Sequence, residues 1–283
     1  MNKSELLTAL QPAGLVGVSK DIEQIYRESI RLTAQPAEPD SLAAGVSRLG
    51  GMPDLPPDTQ WPALKDQPMS FIAQLQMAEL APYDEEGRLP RTGCIYFFYD
   101  AGQQTYGEDP SDRAGWKVWY ADIANDELIR QQPPAGLLES AIFTACKLDY
   151  SREVTLPQQP AMYLDEFNWT PDEKHRYEDF LADFPSREDR SSIHHRMFGH
   201  SNTIQDDMHL QCALMANGAH SLDDPNADEF SRTAMDWILL LQIDSDENAG
   251  MLWANTGMLY FWIEKQALAA RNFEKVWLVL QSE

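Results

Sequence analysis

Cysteine is scarce: the 283 residues hold three, Cys94, Cys146 and Cys212, with no C-x-x-C spacing. An odd number of scattered thiols argues against a disulfide frame or a zinc ribbon and fits a reducing cytoplasm. Long apolar runs are missing too. Nothing approaches the roughly 18 uninterrupted apolar residues of a membrane span, and the opening MNKSELLTALQPAGLVGVSKD lacks a signal-peptide core. The chain is therefore expected to be cytoplasmic, with no membrane partner. Positive charge is short, with 22 Lys and Arg against 45 Asp and Glu for a net of −23. That field repels nucleic acid, which demands clustered bases, and attracts a basic protein. Catalytic signatures are lacking as well: no G-x-S-x-G elbow, no Walker A, no G-x-G-x-x-G, no H-E-x-x-H. No cofactor is expected.

What is present is the material of a core. Hydrophobic residues make up 43% of the chain, with eight Trp, ten Tyr and eleven Phe, enough to bury a large interior without staples. The sequence also repeats itself. SRLGG, with Arg48, Gly50 and Gly51, answers HRMFG, with Arg196 and Gly199. FIAQL answers LLLQI, so that Gln74 answers Gln242. GCIYFF answers GMLYFW, and KVW at 117–119 answers KVW at 275–277. Four landmarks in one order predict an internal duplication: a single compact domain of two repeats, about residues 30–130 and 186–283, joined by a connecting region 131–185.

The second to fourth landmarks are β-branched and aromatic runs bounded by turn residues, which is strand chemistry. Strands and helices do not alternate, so the expected fold is α+β, with a mainly antiparallel sheet and a few peripheral helices. Gln74 and Gln242, inside apolar strands, are expected to be half-buried and partnered. Ser19 is expected to cap a helix over KDIEQIYRES, while Ile30, Leu32 and Ala34 alternate as a strand does. Thr170 and Glu173 have capping-box spacing before a Tyr177, Phe180, Leu181, Phe184 stripe that Pro185 should stop. Asp206 or Asp207 should cap a helix burying Met208, Cys212 and Met215, and another is expected around 264–270.

On SRLGGMPDLPPDTQWP, FIAQL with LPRTGCIYFFYD, HRMFGHSNTIQDD, and WILLLQIDSD with TGMLYFW and NFEKVWLVLQ, the chain resembles the bacterial YwqG-like family, which carries a domain of unknown function. The resemblance covers about residues 30–281 and implies a duplicated β-rich α+β fold, with no activity attached. The acidic segments 106–112 and 222–229 look like inserts of this chain.

Two functional readings compete. Charge and the missing catalytic signatures point to a non-enzymatic acidic binding protein, with a basic protein as partner. The alternative is a small-anion sensor or enzyme with a cleft between the repeats. It would use Arg48 and Arg196 beside the backbone nests of Gly50, Gly51 and Gly199, together with Gln74, His195 and Gln242. Without the alternative, SRLGG is a stiff connector. His194, His195, His200 and His209 cluster, but adjacent residues of a strand face opposite ways, so no metal site is expected. Cys94 reads as core, and DSDENAG at 244–250 as a solvated hairpin turn.

Overall fold

A computed structural model describes residues 1–184 and 193–283. The strands are β1 (Arg27–Pro36), β2 (Arg48–Leu49), β3 (Asp54–Leu55), β4 (Ala63–Leu64), β5 (Gln67–Pro68), β6 (Ser70–Gln76), β7 (Cys94–Tyr99), β8 (Trp116–Ala121), β9 (Ile129–Arg130), β10 (Cys146–Thr155), β11 (Arg196–Phe198), β12 (Trp237–Asp244), β13 (Met258–Glu264) and β14 (Trp277–Gln281). The helices are α1 (Lys3–Ala9), α2 (Ser19–Ile25), α3 (Met77–Leu80), α4 (Pro171–Asp183), α5 (His209–Ala216), α6 (Ala227–Arg232) and α7 (Lys265–Ala269). The fold is α+β. Ten strands make one antiparallel sheet in the order β14-β13-β12-β11-β1-β10-β2-β6-β7-β8, and β3–β9 and β4–β5 form small ribbons.

The order reads alike from either edge. From the central β1–β10 pair, β2, β6, β7 and β8 run outward on one side, and β11, β12, β13 and β14 on the other. Arg48 pairs with Gln74 and Arg196 with Gln242. A register irregularity falls between Phe71 and Ala73 in β6, and between Leu239 and Leu241 in β12. The fourth landmark is the exception. Tyr96 pairs with Trp119, whereas Tyr260 pairs with Val279, so the two KVW motifs stand two residues out of register. Lys275 ends a 3-10 turn (Phe273–Lys275) before β14 begins.

The sheet curls so that its halves face each other. Phe97 and Phe261 meet with ring centroids 5.0 Å apart, and Trp116 lies edge-on to Trp277 at 4.8 Å. Segment 106–112 is part of this closure rather than a free insert. Leu280 N–H donates to the Tyr106 carbonyl at 3.0 Å, which covers the β14 edge. Gly107, at φ +77°, lies where a Cβ would collide with the Leu278 carbonyl oxygen. On the outer face of β6–β8, the proline-rich segment 52–69 folds over Phe71, Tyr96 and Phe98, with Trp61 edge-on to Phe98 at 5.3 Å. SRLGGMPDLPPDTQWP is thus a strand end followed by a cover.

A satellite core joins the N-terminal helices to α4 through Leu6, Ile22, Ile25, Trp169 and Tyr177. The α2 cap differs from expectation: Ser19 starts the helix after a 3-10 turn, and its hydroxyl donates to Val16 O rather than accepting a cap bond. In α5 the first helical residue is His209, whose N–H is accepted by Asp207 Oδ1 at 3.0 Å. The Thr170–Glu173 capping box forms as the spacing predicts. Thr170→Ala should therefore lower stability by about 1 kcal/mol, read as a shift in urea midpoint; an unchanged midpoint would show that α4 does not need its cap. Pro185, expected to end α4, lies outside the described residues. So does residue 186, the start expected for a second repeat. Among the described residues no helix is long and apolar enough to cross a membrane.

Candidate functional site

The residues singled out from the sequence occupy two separate buried networks. In the first, Arg48 is fully buried. Its guanidinium donates to Asp54 Oδ2 at 2.6 Å and to the carbonyls of Ala43 and Met52 at 3.0 and 3.4 Å. Gln74 accepts from Asp54 N–H at 2.7 Å and donates to Val46 O at 2.7 Å. Burial pulls the Arg48 pKa down to about 10, against the opposing pull of Asp54. Gly50 and Gly51 have positive φ as expected, but their N–H groups already donate to Ile72 O and Phe143 O at 2.9 and 3.0 Å. No open nest is left there.

The second network copies the first. Arg196, 4% exposed, donates to His200 O at 3.1 Å, four residues on, as Arg48 does to Met52. Gln242 accepts from Asn202 N–H at 2.9 Å and donates to His194 O at 2.7 Å. The counterion differs: Arg196 pairs with Glu153 of β10 at 3.1 Å, because the place of Asp54 is taken by Asn202. Both glutamines are fully buried rather than half-buried, since each closes the loop that follows its arginine.

The histidines also point inward. His195 Nδ1 accepts from Asp244 N–H at 3.1 Å, so the proton sits on Nε2, which donates to Asp246 at 3.2 Å. His194 faces away, toward Arg31 at 3.1 Å. Burial, with Arg196 and Arg31 nearby, pushes His194 down to about 3, and burial does the same to His200. Among the described residues no three metal-capable side chains gather. Segment 244–250 is a turn closed by an Asp246–Met251 bridge; Glu247, Asn248 and Gly250 are exposed as expected, while Asp244 and Asp246 are buried and engaged by His194 N–H and His195. Cys94 is core, its thiol pushed up to about 12 by burial.

The solvent-open site lies elsewhere, in a cleft between the halves. Two cavities, of about 330 and 580 Å³, share Arg27, Arg88, Ile238 and Lys265 as walls, and Arg271 joins the larger. Arg27 opens β1, Arg88 sits in the loop between α3 and β7, and Lys265 and Arg271 flank α7. Among the described residues Arg27 and Arg271 have no carboxylate within ion-pair distance. Arg88 lies 3.8 Å from Asp84 and 3.7 Å from Glu86, too far for a hydrogen bond from its Nε. Lys265 donates to Met235 O at 2.9 Å, with Asp236 at 3.6 Å.

Arg88 is held by an unusual support. Its guanidinium lies 3.7 Å from the centroid of the Phe198 ring, a cation–π distance. Phe198 has φ +61°, where the corresponding residue of the first half, Gly50, has +59°. A left-handed conformation costs a non-glycine residue roughly 1–2 kcal/mol, and strain of this kind gathers at functional sites. The inner wall is aromatic. Trp262 stands edge-on to His209 at 4.7 Å, beside Tyr163 and Trp237, and the indole N–H groups of Trp237 and Trp262 are buried without an acceptor.

Sequence reasoning missed all four cations, because they come from three distant segments and belong to no motif. The faint signal was their rarity: in a chain so short of bases, Lys265 and Arg271 bracket one short helix. Residues 47–282 match the model of a family described as a domain of unknown function (DUF1963), and the chain belongs to that family. No curated protein matches it. The matched span begins at Ser47 and so leaves out Arg27 and the rest of β1.

Proposed function

We propose that this protein binds a small anion in the cleft between its halves and catalyses no reaction on it. The observation that carries this reading is the gathering of Arg27, Arg88, Lys265 and Arg271 around one opening in a chain of net charge −23. Like charges brought together raise one another's energy, and an anion relieves this. The sensor alternative of the sequence is kept, with its arginines replaced. Arg48 and Arg196 hold the two loops in place, and the cleft cations take the ligand. The repeated networks support descent of the two halves from one duplicated unit, and motifs such as SRLGG and HRMFG favour kinship with the YwqG-like proteins. Three buried free cysteines fit a cytoplasmic location.

Thermal unfolding with phosphate, pyrophosphate and citrate tests the reading. A ligand at about 100 times its Kd adds about 2.7 kcal/mol, a rise of roughly 5 °C for a chain of this size. Arg88→Ala with Arg271→Ala should remove the rise while the unliganded protein still unfolds cooperatively. If no anion moves the melting temperature, the cleft is not an anion site.

The charge favours a second reading, a basic protein partner, and the exposed segment with Leu222, Asp223, Asp228 and Glu229 is a place for it. Such binding should weaken steeply with salt.

A further inference from the structure

Resting on the cleft reading, we infer that the ligand is an organic phosphate with two or more negative charges and a flat ring body that carries a hydrogen-bond acceptor, as in a nucleoside diphosphate. The two cavities differ in chemistry. The outer one, about 580 Å³, has four cations against one acid, Glu86. The inner one, about 330 Å³, keeps Arg27, Arg88 and Lys265 in its wall, has Asp165 as its one acid, and adds the rings of Tyr163, Trp237 and Trp262. Together they are far larger than a bare oxyanion needs and fall in the range of small-molecule sites. A ligand that fills both meets cations along its length and aromatic rings at its inner end.

Three unmet donors line the inner cavity, the indole N–H groups of Trp237 and Trp262 and the Arg88 Nε–H. Trp262 is 2% exposed, lines the inner cavity, and its Nε1–H has no acceptor. A buried donor without a partner is costly, and an acceptor nitrogen or oxygen on the ring body would meet it. The Arg88 Nε–H is of another kind. Phe198 covers one face of that guanidinium, which leaves its edges to donate, and guanidinium edges match phosphate oxygens in pairs. The strain at Phe198 follows from this. Glycine suits the backbone there, as Gly50 shows in the other half, but offers no ring to hold Arg88. A phosphate on a lipid would share the charged end of this chemistry. The net charge of −23 repels an anionic bilayer, so the soluble form is favoured.

The test uses the full chain and calorimetric titration with pyrophosphate, the four common ribonucleoside diphosphates, phenyl phosphate, and vesicles of neutral lipid doped with phosphatidylinositol phosphate. At least one ring-bearing phosphate should bind about tenfold more tightly than pyrophosphate, the worth of one good hydrogen bond with its apolar contact. Trp262→Phe should weaken that compound about tenfold more than it weakens pyrophosphate. In the nitrogen-15 spectrum of the wild type, an indole Nε1–H signal should shift with the ring-bearing ligand and stay put with pyrophosphate. This keeps the test alive if Trp262→Phe fails to fold. Equal affinity for pyrophosphate and every ring-bearing phosphate, with no indole shift, overturns the inference and leaves an anion cleft standing. Tighter binding to the vesicles than to any soluble compound overturns it in favour of a lipid head group. No binding of any phosphate removes the cleft reading as well.

Discussion

Replacing Asp54 with alanine is expected to cost about 3–5 kcal/mol, the penalty for leaving a buried charge alone, and in a marginal chain this means little folded protein. Asp54 is fully buried and holds four donors: Arg48 at 2.6 Å, Gly45 N–H at 2.9 Å, Gln74 Nε2 at 3.0 Å, and Arg130. Removing the carboxylate strands the Arg48 guanidinium away from water and unties both ends of the 43–54 loop. The double variant Asp54→Ala with Arg48→Met separates charge from shape. An apolar pair of similar volume is often neutral against a buried ion pair, so it should recover a large part of the loss. Urea unfolding of both variants, expressed at low temperature, reads the difference. A single variant within 1 kcal/mol of wild type, by the same scale, would mean that water reaches Arg48 and that this network is not the anchor described here.

The same network shows what the sequence could reveal. Gln74 and Gln242 stood out because a polar side chain inside an apolar strand has to be paired, and pairing is what they do. Arg48 and Arg196 stood out for their place before glycine, and they do occupy equivalent positions. Whether they close a turn or face a ligand stayed open, because residue type does not reveal burial: a loop arginine that closes its own turn reads like one that faces a ligand. The KVW motifs show a second limit. Identity of three residues looked like register, yet strand pairing sets register, and it puts Val279, not Trp277, in the place of Trp119. The cleft was out of reach for a third reason. Its cations lie on the start of β1, a loop after α3 and the two ends of α7, and only the curl of the sheet brings them together. No local period or spacing encodes that curl. Phe198 alone carried a trace of it, as the one residue that breaks the match between SRLGG and HRMFG at a position where the backbone wants glycine.

Acidification should destabilise the protein well above the range where most carboxylates titrate. His194 and His200 are held at about 3 in the folded chain, against an ordinary 6.5. A lowered histidine pKa means that the unfolded chain binds the extra proton first. The stability contribution is therefore complete above pH 6.5 and falls away as pH drops toward 3. Each histidine adds a slope of about 1.4 kcal/mol per pH unit once the unfolded form is protonated. By about pH 5 the pair should have removed roughly 4 kcal/mol relative to about pH 8. Asp244 and Glu28, whose burial raises their pKa values, push the other way in the carboxylate range, so the slope is best read between pH 6.5 and about 5. Urea unfolding across that interval measures it, and His200→Gln should take away about half of the slope. His200 Nε2–H donates to Ile25 O at 2.7 Å, a bond that a glutamine amide can replace without taking up a proton. Stability that stays level across the interval would show that both rings open to water before they titrate. The β1–β11 region would then be looser than its buried arginine and histidines require.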